Sequence, residues 1–185
     1  WARTPAETVA RLLDEVMRAT VAAADAWTTL SAEHEGMAPD PPAVAEEALV
    51  GPYLFLRSVR LHRDAMRDVA RRGVPRLPGP IRTLPTGQAV ARVMPVDRWD
   101  SLLFLGTVGD VWMAPGVAAG DVPATQAAAW RTPPPGRVCL VLGAGNASSI
   151  GPLDIIHKVV VERQVVVCKT HPVMAHLAEI GRAHV

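Results

Sequence analysis

RVCLVLGAGNASSIGPLDIIHKVVVERQVVVCK, residues 137–169, is the stretch on which the fold turns. It divides into a strand, a tight loop, an amphipathic helix and a second strand. After its first residue, 137–142 is an unbroken apolar run, as a strand covered on both faces requires. Gly143, Ala144 and Gly145 let the backbone turn sharply and approach a ligand. Ser148 or Ser149 can cap the helix that follows. Residues 165–168 predict a second buried strand. A strand–helix–strand unit of this length forces a parallel pair, and open parallel sheets bind ligands at the carboxyl ends of their strands. Asn146 and Lys169 both fall at such ends, 23 positions apart.

Upstream of this unit, Thr132-Pro133-Pro134-Pro135-Gly136 reads as a linker. Near the start of the chain, Thr4, Pro5 and Glu7 predict a capped helix with Pro5 at its first position. Val9, Leu12, Leu13, Val16, Thr20, Ala23 and Trp27 then share one face at helical spacing. Residues 31–42, with Gly36 and three prolines, read as a loop. A second helix is predicted from about Pro52 to Arg72, with Phe55, Val59, His62, Met66 and Val69 as its apolar stripe and Gly73 as its stop. Its arginines and aspartates read as a solvated, internally paired face, not a nucleic-acid patch, because no aromatic residues interleave. Residues 81–84 and 88–94 flank Pro85-Thr86-Gly87 and predict a hairpin. Short helices are expected at 98–105 and 122–130, and a strand at 111–113.

With Asn146 and Lys169 so spaced, residues 137–169 resemble the aldehyde dehydrogenase superfamily, in a divergent, acyl-CoA-reductase-like branch. That family places an Asn after a nucleotide-domain strand, in a Pro-Trp-Asn motif, and a Lys after the next Val-rich strand, in Lys-Pro-Ser/Ala-Glu. The separation matches without a gap. LGAGN departs from the first motif, and Lys169-Thr170-His171-Pro172 departs from the second, so the acidic residue that meets the ribose is missing. The resemblance implies a Rossmann-like nucleotide-binding domain with NAD or NADP as cofactor and an aldehyde or acyl-CoA thioester as substrate. It implies that Asn146 donates to the substrate carbonyl oxygen and that Lys169 holds the ribose. Gly143, Ala144 and Gly145 would line the cofactor, and His171 would stand by a phosphate. It also implies a homo-oligomer assembled through the hairpin, and a nucleophilic Cys and general-base Glu lying well downstream of the Lys.

The organisation expected is therefore α/β: a helical region over 1–80, a hairpin and connecting region over 81–135, and the start of an NAD(P)-binding domain over 136–178. The chain is read as the N-terminal fragment of a longer enzyme. It opens at Trp1, and residues 179–185, EIGRAHV, back-translate to a string resembling a widely used sequencing adapter. That heptapeptide is expected to be non-native read-through; the other reading is an ordinary helix end capped by Gly181.

Other chemistry reads as weaker. Gly143-Ala144-Gly145-Asn146-Ala147-Ser148 half-matches G-x-G-x-x-G, which supports a standard Rossmann NADP-dependent reductase as the alternative. A non-catalytic scaffold with the same fold is a third reading. A Lys in place of the usual acidic ribose ligand tolerates a 2′-phosphate. Cys139 and Cys168 sit in predicted buried strands, where the thiolate is disfavoured. No His, Cys, Asp and Glu set has metal-ligand spacing. A net charge of +1 argues against partners recruited by bulk charge, nucleic acid and membrane surface alike. No apolar run is long enough to span a membrane, and two cysteines make no disulfide framework, so a reducing cytoplasm is expected.

Overall fold

The computed structural model describes residues 1–37 and 41–178 and shows a mixed α/β chain with two small sheets. Helix α1, Ala6–His34, buries Val9, Leu13, Ala23 and Trp27 as their spacing predicts, but Leu12 is 41 % exposed. The predicted capping box does not form. Pro5 is the extended residue before the helix, which places Thr4 one position too far out to reach the first amides. The Thr4 carbonyl instead accepts from Arg163 Nη2 at 3.0 Å. At the other end, α1 runs four residues, 31–34, into the expected loop. Ser31 is fully buried there and shares a 2.9 Å hydrogen bond with His176 Nε2, so a tertiary partner holds it in the helix.

Helix α2, Pro41–Ala48, leads through a π-helical stretch, Leu49–Tyr53, into α3, Leu54–Arg72. Pro52 therefore lies inside a helical path instead of starting one. The wider π turn accommodates a residue whose ring and missing N–H would break an α-turn. Gly73, at φ 79°, ends α3 as its position predicts. Phe55, Val59 and Met66 pack against Val9, Ala10, Leu13 and Trp27 to form the main core.

Strands β1, Ile81–Thr83, and β2, Ala89–Met94, form the predicted antiparallel hairpin, with Gly87 in the turn at φ 84°. After α4, Arg98–Leu103, strand β3, Gly109–Trp112, adds to β2 and gives the order β1-β2-β3. The arginine face of α3 is in large part a clamp between elements. Arg63 and Arg67 reach Asp14 of α1 at 3.0 and 2.8 Å. Arg57 and Arg60 reach Asp100 of α4 and its cap residue Asp97, each at 2.8 Å.

The helix predicted over 122–130 is two short ones, α5, Val122–Thr125, and α6, Ala128–Arg131, broken at Ala127 with φ 49°. The break lets Trp130 Nε1 donate to the Val160 carbonyl at 2.9 Å, with the Arg163 guanidinium 3.8 Å from the indole centroid.

Strand β4, Val138–Leu142, pairs in parallel with β5, Val165–Lys169, from Val138 opposite Val165 to Leu142 opposite Lys169. Between them run α7, Ile150–Ile156, and its π-helical continuation, His157–Val161, which add Ile156 and Val160 to the main core. Parallel pairing is as predicted, but coverage of both faces is not. Val138, Leu140, Leu142, Val165 and Val167 are 51–71 % exposed. The alternate residues Cys139, Val141, Val166 and Cys168 are half-buried or buried, so only one face of the pair is covered among the described residues. The loop residues 38–40 and the suspected tail 179–185 lie outside the described residues.

Candidate functional site

Parallel register brings the two carboxyl-end loops together. The Gly143 N–H donates to the Lys169 carbonyl at 2.9 Å, one step beyond the ladder. A Cβ at Gly143 would stand 3.4 Å from that carbonyl oxygen and 3.5 Å from the His171 nitrogen, so the chains approach closely because the residue is glycine. At Gly145 a Cβ would overlap the imidazole of His171. His171 Nδ1 in turn accepts from the Val173 N–H at 3.3 Å and caps a short 3-10 turn, Pro172–Met174. A cavity of about 230 Å³ opens beside these loops, lined among others by Gly143, Ala144, Ser148, Cys168, Thr170 and His171.

The loop is held from behind by residues distant in sequence. Ser148, 1 % exposed, accepts from Trp27 Nε1 at 2.8 Å and donates to Glu47 Oε1, which is itself fully buried. Ser149 Oγ donates to the Val50 carbonyl. Neither serine caps α7, contrary to the expectation; both hydroxyls are spent on the α2 and π-helical segment instead. Gly51 lies within this network, where no side chain fits.

Of the residues singled out from sequence, Gly143, Ala144 and His171 line the cavity, and Gly145 lies under the His171 ring. Asn146 and Lys169 are exposed and do not line it. Lys169 joins the site through its carbonyl, while its side chain alternates onto the bare face with Val165 and Val167. Asn146 makes no side-chain hydrogen bond among the described residues. From the sequence, Ser148 reads as a helix cap or as the last position of a half-matched G-x-G-x-x-G, and Thr170 only as a departure from a motif. No sequence spacing could have linked Ser148 to Trp27 or Glu47.

Burial, with the charge of Asp154 added, pushes the Cys168 thiol up, which disfavours the thiolate beside the cavity. Glu162, the acidic residue nearest in sequence to a Rossmann ribose ligand, is engaged elsewhere. Lys158 Nζ donates to it at 2.5 Å and holds its carboxyl below the usual range, with His157 Nε2 at 3.4 Å. Among the described residues, no three His, Cys, Asp or Glu side chains are placed to hold a metal ion. None of the described helices is long and apolar enough to cross a membrane. Comparison with protein-family models, curated proteins and solved structures finds no match to this chain.

Proposed function

We propose that the chain is the front part of an NAD(P)-dependent, aldehyde dehydrogenase-like oxidoreductase acting on an aldehyde or an acyl-CoA thioester, with β4, α7 and β5 as the first unit of a Rossmann-like domain. The observation that carries the reading is the parallel register, which sets loops 143–146 and 169–171 side by side, with Gly143, Ala144, Thr170 and His171 on a cavity. A bare apolar face on the same two strands suits a unit that belongs to a larger layered sheet.

The residues present fit a dinucleotide in part. Gly143 and Ala144 line the cavity, whereas the space over Gly145 is already filled by the His171 ring. In this reading His171 takes a phosphate oxygen as it turns off Gly145. Lys169, exposed and cationic, meets the ribose and tolerates a 2′-phosphate. Asn146, with its amide free in solvent, donates to the carbonyl oxygen of the substrate, where an uncharged donor stabilises developing negative charge without titrating. NAD or NADP, when bound, supplies the hydride chemistry, and the thiol nucleophile comes from outside the described residues. The edge of β3, unpaired among the described residues and carrying Trp112 at 62 % exposure, suits self-association through the hairpin sheet.

Reading the source DNA past the codon for Ala178, and titrating NAD and NADP against the encoded protein by calorimetry, tests this. The expected result is a frame that continues to a Cys and a later Glu in Gly-rich contexts, and a protein that binds one of the two cofactors. A protein that titrates neither refutes it.

A further inference from the structure

A second and larger cavity, of about 800 Å³, lies between α3 and the extended segment that follows it, away from the β4–β5 loops. Its walls include Leu61, Leu77, Val93 and Val96, and its charged rim is uneven. Five arginines of α3 are neutralised by ion pairs. Arg57 is held by Asp100, Arg60 by Asp97, Arg63 and Arg67 by Asp14, and Arg72 by Asp68. Every aspartate on the rim is thereby engaged: Asp97 by Arg60, Asp64 by Arg63, and Asp68 by Arg72 and the Arg76 N–H at 2.9 Å. Two guanidinium groups remain, Arg71 and Arg76. Both line the cavity, both are exposed, and neither has an acceptor among the described residues. The Asp68 bond to the Arg76 backbone folds the chain back after Gly73, so both arginines face the same cavity.

We propose that this cavity binds a small phosphate monoester with an aliphatic body, its phosphate held by Arg71 and Arg76 and its chain laid against Leu61, Leu77, Val93 and Val96. Two planar forks offer at least four N–H donors. A phosphate monoester dianion presents three terminal oxygens to receive them, whereas a carboxylate saturates on one fork. The site is independent of the β4–β5 loops, so it stands or falls apart from the oxidoreductase reading.

The probe is n-hexyl phosphate, titrated calorimetrically against the whole chain, with inorganic phosphate, hexanoate and hexanol as comparisons. The expected result is one saturable site for hexyl phosphate, weakened by salt, with each comparison bound at least about tenfold more weakly. The double variant Arg71→Gln, Arg76→Gln loses at least about tenfold in affinity, while Arg3→Gln, on an exposed arginine outside the cavity, changes nothing. Because neither arginine has a partner to lose, the double variant keeps the thermal midpoint of the parent. A second variant, Arg71→Lys with Arg76→Lys, keeps the charge but not the forks and binds at an intermediate level. Absence of hexyl phosphate binding, equal binding of hexanol, or undiminished binding by the double glutamine variant overturns the proposal.

Discussion

Replacing Gly51 by alanine is the sharpest probe of how the candidate site is held. The added Cβ would stand 2.6 Å from Ser148 Oγ, 2.7 Å from Glu47 Oε1 and 3.2 Å from Trp27 Nε1, the first two well inside contact distance. Neither oxygen can move into solvent, because Glu47 and Ser148 are 0 and 1 % exposed. Overpacking of this kind costs about 1–3 kcal/mol. Parting Ser148 from Trp27 or Glu47 leaves a buried polar group unpaired, for about 1–3 kcal/mol more. Better helix propensity returns at most about 1 kcal/mol. The net expectation is a loss of about 3 kcal/mol. Urea unfolding followed by circular dichroism measures it. Adding Ser148→Ala to Gly51→Ala removes the nearest obstacle, and the double-mutant cycle should return a coupling of at least about 1 kcal/mol. An unfolding midpoint for Gly51→Ala at or above that of the parent, with unchanged slope, would refute the reasoning.

Two further outcomes follow from the same region. Glu35 Oε1 is buried without a hydrogen-bond partner among the described residues, and burial, with the charge of Glu47 added, raises its carboxyl above the ordinary value of 4.5. A raised folded value means that ionising Glu35 costs stability, a cost absent below 4.5 and complete once pH passes the folded value. Glu35→Gln should therefore stabilise near neutral pH and change nothing in acid, as thermal melts across pH would read. Gly145→Ala should evict the His171 ring and break its bond to the Val173 N–H while shifting stability by less than about 1 kcal/mol, because His171 is exposed and free to turn. The His171 imidazole signal in a proton–nitrogen spectrum reports it; an unmoved signal would contradict the packing.

Local rules were legible in the sequence and long-range ones were not. The 3.6-residue stripe through Phe55, Val59 and Met66, the turn at Gly87 and the stop at Gly73 are each set by neighbours within a few positions, and all three stand in the structure. The alternation of β4 and β5 was hidden, because Val and Leu occupy the bare face as well as the covered one. Pro52 inside a helix depends on a π turn that composition does not announce. The break at Ala127 is tied to Trp130 finding Val160 and Arg163, both distant in sequence. Around the cavity, glycines and His171 were readable from the loop itself. Trp27, Glu47 and Val50 were not, because nothing near residue 148 encodes which buried groups it will meet.

The Trp27–Ser148 bond has a kinetic consequence. Its partners are 121 residues apart, Glu47 and Ser148 are 101 apart, and Arg163 reaches back 161 residues to Ala2. Contacts that close such long loops form after local helices and hairpins and slow the search for the native state. On the ribosome, α1 and α3 would be complete long before residue 148 leaves the exit tunnel, and Glu47 and Trp27 would wait in water for a hydroxyl not yet made. The amides of residues 143–149 should accordingly be among the last to gain protection from hydrogen exchange during refolding.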